Sequence, residues 1–355
     1  MTKILYAVNG DGLGHATRSI PIILELSKKY DVKVMIGSKR SGDLIKKYVK
    51  NVIVFEGLRF SYDDNSVKLY RTISSNAKIV FSRSSNFRKV YKIIKQLRPN
   101  VIVTDCDYLT INVANLFSIP IICVCNIHSI TELRYSVPKR YVKSYYATRI
   151  LTKTFTHNVD YHILTTFFSL PAIHPESTFQ FSPILRKEVY SLDVGRKNYY
   201  LVYQTSGYTP VSTNRKLIKA LKSVDAKFIV YGFERDDTEG NITFRKTNND
   251  QFFNDLKDCR ACIANGGYGF ISEAVSLHKP ILSIPIKGQF EQIFNALQVK
   301  KLGYGNMCDI INKKSLQEFI KNNDKYYMNI KNFKKEDNTR LVNKLVELIQ
   351  KVSKG

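Results

Sequence analysis

The sequence predicts an α/β chain of two successive Rossmann-like halves, with parallel sheets facing a cleft and an amphipathic helix at the C-terminus. Three observations carry this reading. At 355 residues the chain is long enough for two domains of ordinary size. Short runs of β-branched and aliphatic residues alternate with amphipathic stretches, as in parallel strands covered by helices on both faces. That alternation breaks around Ser182–Lys197 and then restarts. The division expected is therefore 1–185, 186–336 and a terminal helix over 337–355.

In the first half, strands are expected at Ile4–Asn9, Val32–Ile36, Val52–Phe55, Val101–Thr104 and Pro120–Cys125, with helices over about 16–30, 41–50 and 85–98. In the second half, strands are expected at Tyr199–Gln204, Lys227–Tyr231, Ala261–Asn265 and Pro280–Ile284. Helices near 212–223, 250–257, 269–277 and 290–301 separate or follow them. Leu341, Leu345, Leu348, Ile349 and Val352 recur at helical spacing, so the last segment reads as a helix that packs one face on a domain.

With 44% hydrophobic and 24% charged residues the chain is not disordered, because that much apolar side chain offsets the ordering entropy. The net charge of +25 is shared by both halves. A field of that sign attracts nucleic acid, anionic lipid or phosphorylated small molecules, and it bears on partners, not on fold. No run of about 18 apolar residues is present to span a membrane. Met1-Thr2-Lys3 leads straight into a strand pattern without a signal peptide, so a reducing cytoplasmic location and free thiols are expected. Of the six cysteines, Cys259-x-x-Cys262 is the one zinc-like spacing. Its only companion pair is Cys123-x-Cys125 and no His stands at finger spacing, so buried thiols and no metal site are expected.

The strand Ile4–Asn9 runs into Gly10-Asp11-Gly12-Leu13-Gly14-His15-Ala16-Thr17-Arg18. Glycines let the backbone turn sharply, and the helix that follows aims N–H groups at whatever sits above the strand. The third glycine of a dinucleotide fingerprint is missing, and Gly37-Ser38-Lys39-Arg40 ends the second strand without an acidic ribose ligand, which weakens a nicotinamide reading. His15 stands at the mouth of this loop, where an imidazole suits proton transfer from a hydroxyl; the alternative is a helix-capping His. Asp105 and Asp107, after the strand Val101–Thr104, share one face if the extended geometry continues, and either is placed to orient His15 or to cap a loop. Gly12, Gly14, Arg18 and His128 are acceptor-side candidates.

The second half holds Asn265-Gly266-Gly267-Tyr268-Gly269-Phe270, then Glu273, then His278-Lys279-Pro280, and finally Lys287-Gly288-Gln289-Phe290-Glu291-Gln292 with Asn295 beyond. A strand, a Gly-rich turn and a helix N-terminus form a cradle of amides suited to a diphosphate. Taken with the first loop, this block resembles GT-B glycosyltransferases, the group of UDP-dependent glycosyltransferases and the N-acetylglucosaminyltransferase of peptidoglycan synthesis. It is similar above all to archaeal and bacterial glycosyltransferases that begin with a G-x-G-L-G-H-A-T-R-S loop.

The resemblance covers nearly the whole chain and implies a hexosyl- or N-acetylhexosaminyltransferase with no cofactor beyond a nucleotide sugar, most simply a UDP-sugar. It implies that Glu273 holds the ribose, that Glu291 and Gln292, preceded by Gln289, read the donor sugar, and that Asn295 is structural support. The same resemblance makes the loop Gln204-Thr205-Ser206-Gly207 a second phosphate contact through Ser206 and Gly207, and places Phe244 to Thr247 at the nucleobase. Asn265 stands where plant-type members carry a phosphate-binding His and Phe270 where they carry a Ser, so the cradle leans on the amides of Gly266, Gly267, Tyr268 and Gly269 and on Lys287. Retaining members carry Glu-x7-Glu across this turn. Here Asn265 replaces the first Glu, which favours inversion with His15 as base. No Asp-x-Asp motif lies in the donor block, so a metal-independent reaction is expected.

Residues 134–153 carry Arg134, Lys139, Arg140, Lys143, Arg149 and Lys153 among Tyr135, Tyr141, Tyr145 and Tyr146, with no acidic residue. This is either an anionic-membrane face at the inner leaflet, serving a lipid-linked or glycan acceptor, or a solvated basic face. A GT-B-fold epimerase or an inactive sugar-nucleotide binder is the competing reading. A specific nucleic-acid binder is not expected, since the charge forms no single stripe and no RNA-recognition motif is present.

Overall fold

A computed structural model describes residues 1–10, 12–55, 62–63, 66–67, 85–204, 211–246 and 249–353. The chain divides into two compact units: Met1–Ser61, Lys68–Arg186 and Glu336–Gly355 form one, and Tyr62–Val67 with Lys187–Lys335 form the other.

The first unit holds a seven-stranded parallel sheet of β1 (Lys3–Val8), β2 (Asp31–Ile36), β3 (Val52–Val54), β6 (Val101–Asp105), β7 (Ile121–Cys125), β8 (Tyr161–Thr165) and β9 (Thr178–Phe181), in the order β3-β2-β1-β6-β7-β8-β9. The short pair β4 (Tyr62–Asp63) and β5 (Ser66–Val67) is antiparallel and separate. The helices are α1 (Leu13–Ser27), α2 (Lys39–Lys46), α3 (Ser85–Leu97), α4 (Tyr108–Leu116), α5 (Ser129–Glu132) and α6 (Val142–Phe155), the last led by a 3₁₀ turn at Lys139–Tyr141.

Strand alternation assigns the core faces. Ile4, Tyr6 and Val8 of β1 pack with Ile20 and Ile23 of α1, while Leu5 packs on the opposite face with Val90, Ile94 and Leu109. The second unit opens with α7 (Lys187–Tyr190). Its sheet, in the order β12-β13-β11-β10-β14-β15-β16, comprises β10 (Tyr200–Tyr203), β11 (Phe228–Tyr231), β12 (Thr238–Glu239), β13 (Ile242–Arg245), β14 (Ala261–Ala264), β15 (Ile281–Ser283) and β16 (Gly305–Met307). Only β12 runs antiparallel. Its helices are α8 (Val211–Lys222), α9 (Asn249–Asp258), α10 (Tyr268–Ser276), α11 (Phe290–Lys301), α12 (Lys313–Lys321) and α13 (Asn323–Ile330).

The terminal helix α14 (Thr339–Ser353) returns to the first unit, where Leu341, Leu345, Leu348 and Ile349 join the core beside Ile4 and Ile23. Strands β4, β5, β8, β9, β12, β13 and β16 and helices α4, α5, α6, α7, α12 and α13 were not expected from the pattern. β9 and β16 are short edge strands, which bury less and so carry a weaker apolar signal.

Candidate active site

In both sheets the strand order reverses beside a glycine-rich turn. β1 and β6 are neighbours with connections leaving in opposite directions, as are β10 and β14. These switch points open a crevice at the carboxyl ends of the strands, where ligands of doubly wound sheets bind.

In the first unit the register pairs Val8 with Asp105, which sets Asp105 beside the Gly10 turn. A Cβ on Gly10 would collide with the carbonyl of Gly37, and Gly12, at φ 77°, ends the turn. Among the described residues, a Cβ on Gly12 or Gly14 would meet nothing within 4 Å, so the space above the α1 N-terminus is open there. Ser41 Oγ donates to the Gly12 carbonyl at 3.1 Å and holds the turn from α2. His15, on the first turn of α1, places Nδ1 3.1 Å from Asp105 Oδ1. Arg18, one turn on, donates from Nε to Asp105 Oδ2 at 2.6 Å and from Nη2 to Oδ1 at 2.7 Å, and that Nη2 lies 2.8 Å from His15 Nδ1.

The carboxylate of Asp105 is buried at 1% exposure, while the His15 side chain is 23% exposed. Burial pushes the Asp105 pKa up, but the Arg18 and His15 charges and their hydrogen bonds together hold it below the ordinary carboxylate value. Asp105 Oδ1 accepts from His15 Nδ1 in the tautomer that leaves Nε2 unprotonated, whereas Arg18 Nη2 donates to Nδ1 in the other.

Three expectations on this side are corrected. Asp107 does not share the face of Asp105, because Cys106 takes a left-handed φ of 51° and ends the extended geometry. Asp107 instead caps α4, accepting from Thr110 N at 2.9 Å and Thr110 Oγ1 at 2.6 Å, and burial pushes its pKa up to about 6. Arg18 is committed to Asp105 instead of facing an acceptor. His128 is buried, with Nδ1 2.7 Å from His162 Nδ1 and Nε2 2.9 Å from Thr156 Oγ1, so it is closed to an acceptor.

In the second unit, β14 ends at Asn265-Gly266-Gly267 and α10 begins at Tyr268. Gly266 is obligatory, since a Cβ there would strike the carbonyl of Gln292, whereas Cβ atoms on Gly267 and Gly269 would meet nothing within 4 Å among the described residues. Among the described residues no side chain caps α1 or α10 and no acidic residue stands in the first turn of either; α5, α6, α11 and α13 likewise lack a side-chain cap. α2, α4 and α12 are by contrast capped by Ser38, Asp107 and Asn312. A helix N-terminus without a side-chain cap, set at a switch point, is electrostatically suited to an anion.

Asn295 Nδ2 donates to the Gly266 carbonyl at 3.0 Å, the supporting role expected of it. Asn265 Nδ2 donates to the Ile284 carbonyl at 3.3 Å and ties the two strand ends. Gln292 is largely buried and its Oε1 accepts from Ile286 N at 3.0 Å, so it shapes the loop that presents Lys287 and Gln289. Lys287 is exposed; Glu273, Gln289 and Glu291 are half-buried. Phe270 stacks on Tyr203 with centroids 5.0 Å apart.

Phe244 is corrected too. It lies in β13 at 1% exposure under the guanidinium of Arg235, and Arg245 pairs with Asp255, so neither forms an open base pocket. Ser206, Gly207 and Thr247 lie outside the described residues.

Sequence reasoning missed Arg18 as the second partner of Asp105, although its spacing of three from His15 puts both on one helix face. It also missed a cluster at the carboxyl ends of β6 and β7. Cys123 and Cys125 meet Cys106 and His128, and not the Cys259–Cys262 pair, which lies in the other unit.

Two doubly wound, almost wholly parallel sheets, each with a glycine turn at its switch point, are the architecture of the GT-B class of glycosyltransferases. The chain belongs to glycosyl transferase family 1, whose family model matches residues 2–323. It is 27% identical over 336 residues to an uncharacterised glycosyltransferase of Methanosarcina mazei, covering 86% of this chain and 85% of that one. It is 23% identical over 345 residues to the UDP-N-acetylglucosamine–N-acetylmuramyl-(pentapeptide) pyrophosphoryl-undecaprenol N-acetylglucosamine transferase of Shouchella clausii, covering 90% of each. The structure of Phytolacca americana UGT2 complexed with UDP-2-fluoro-glucose and pterostilbene shares the fold with a TM-score of 0.69 at 12% identity, over 99% of both chains.

Proposed function

We propose that this glycosyltransferase inverts the anomeric centre, moving a hexosyl or N-acetylhexosaminyl group from a UDP-sugar to a hydroxyl of a lipid-linked or glycan acceptor. The observation that carries the reading is His15 held against the buried, ionised Asp105 at the mouth of the first glycine turn. His15 Nε2 takes the acceptor proton as that oxygen attacks the anomeric carbon. The bond from carbon to the diphosphate oxygen breaks, and UDP leaves with the electron pair. First-turn amides of α10 and the exposed Lys287 meet the charge that develops on the leaving group. The N-terminal glutamate of the retaining motif is replaced by Asn265, whose amide is engaged with a backbone carbonyl. A UDP-sugar and a lipid-linked acceptor are favoured because the Shouchella clausii relative is named for both. The diphosphate is met by amides, so we place no metal ion in the transfer.

The test is the anomeric configuration of the product, read by NMR from a panel of UDP-sugars and polyprenyl or glycan acceptors. An α-linked donor is expected to give a β-linked product. A retained α-linkage would remove His15 from the role of base.

A further inference from the structure

The first unit contains a cluster that the transfer reaction does not use. Cys106 Sγ lies 3.1 Å from Cys125 Sγ, 3.6 Å from Cys123 Sγ and 3.7 Å from His128 Nε2, and the Cys123 and Cys125 sulfurs are 3.6 Å apart. The four ligand atoms all lie within 4.8 Å of one another. A zinc ion at about 2.3 Å from sulfur and about 2.0 Å from nitrogen sets tetrahedral edges of roughly 3.5 to 3.8 Å. The observed separations approach those edges, and each sulfur stands beyond the roughly 2.05 Å of a disulfide.

We propose that Cys106, Cys123, Cys125 and His128 bind one structural zinc ion. The local fold presents the four groups together. Cys123 and Cys125 are two residues apart on β7 and so share one face, which follows from strand alternation. Cys106 reaches them from the neighbouring strand end by the left-handed turn at φ 51°, a conformation that a non-glycine residue rarely takes. His128 comes from the start of α5, three residues after Cys125.

All four side chains are buried, and Tyr108, Ile127, Phe155 and Val159 pack around the sulfurs, so the coordination is closed as in structural sites. The His128 Nδ1 to His162 Nδ1 contact at 2.7 Å supplies the outer hydrogen bond that directs Nε2 to a metal. Thr156 Oγ1, 2.9 Å from Nε2, donates its own proton to the Thr152 carbonyl; without an ion it accepts from Nε2, and the ion takes that nitrogen instead. On binding, the thiol and Nε2 protons pass to solvent, three thiolates and an imidazole coordinate the ion, and no electron is exchanged.

Cys106 stands between Asp105 and the Asp107 cap, and Asn9 Nδ2 donates to its carbonyl at 2.9 Å. The ion thus pins the turn that carries Asp105.

The experiment is elemental analysis of the full-length chain, purified reduced, without a tag or chelator. About one zinc per chain is expected, with cobalt exchanged for it giving the intense visible bands of tetrahedral thiolate coordination. The Cys123→Ser and Cys125→Ser variants should lose the ion, while Cys259→Ser and Cys262→Ser should keep it. If the first pair fails to fold, the wild-type cobalt spectrum decides by itself. A fully reduced wild-type chain that carries no zinc and takes up neither metal overturns the proposal, as does retention of the ion after Cys123 and Cys125 are replaced.

Discussion

The two acidic residues near His15 have different surroundings: Asp105 faces His15 and Arg18, while Asp107 caps α4. His15→Ala is expected to lower kcat by about 10²- to 10⁴-fold, the range of a general base, with donor binding left nearly intact. Steady-state kinetics beside nucleotide titration checks this, and full turnover in the variant contradicts it. Asp107 acts on stability. Its pKa of about 6 lies above the ordinary 3.8, so between those values the native chain binds more protons than the unfolded one. The stability it contributes is present below about pH 4 and lost as pH rises to about 6. Asp107→Asn keeps an acceptor for Thr110 without the charge, so it should abolish that slope, worth on the order of 3 kcal/mol at 1.36 kcal/mol per unit. Urea unfolding at successive pH values is the measurement. The lowered pKa of Asp105 acts in the opposite sense, with stability present above the ordinary carboxylate value and lost as pH falls through its own lower value.

At the scale of elements, each sheet places a glycine turn and a helix N-terminus where its strand order reverses, the position at which doubly wound sheets bind ligands. The glycine turns and the strands before them were legible because glycine spacing and aliphatic runs are local signals. The pairing of Val8 with Asp105 was not, since it depends on which strands become neighbours. The left-handed Cys106 was not legible either, and that single backbone angle separates Asp105 from Asp107 and brings a third sulfur to Cys123 and Cys125. Phe244 fell into the core because its strand is paired on both sides, by β11 and β12, and its side chain packs into the second unit's core, a tertiary fact invisible in Phe244 to Thr247.

Helix α6 presents Lys143, Tyr146, Ile150 and Lys153 outward, with Arg134, Lys139 and Arg140 exposed just before it. Arg149 turns inward to the carbonyls of Ile130 and Thr131. Tyr146 at 56% and Ile150 at 63% exposure, one turn apart and ringed by cations, suit an anionic headgroup layer. Flotation with phosphatidylglycerol vesicles is expected, weakened when Lys139, Arg140 and Lys143 become Glu. A wild-type chain that stays at the bottom of the gradient leaves a solvated basic face.

For the whole molecule, the net charge of +25 draws anions of every kind, so selectivity, not attraction, identifies the donor. No helix among the described residues is long and apolar enough to cross a membrane. Membership of glycosyl transferase family 1 makes a sugar nucleotide the expected ligand. The most direct test is calorimetric titration of the full chain with UDP, GDP, ADP, NADPH and pyrophosphate at high salt, where screening shortens the reach of surface charge. Tight binding of UDP, with the other four weak, is the predicted result. Selective binding of NADPH, or equal weak binding of all five, would contradict it.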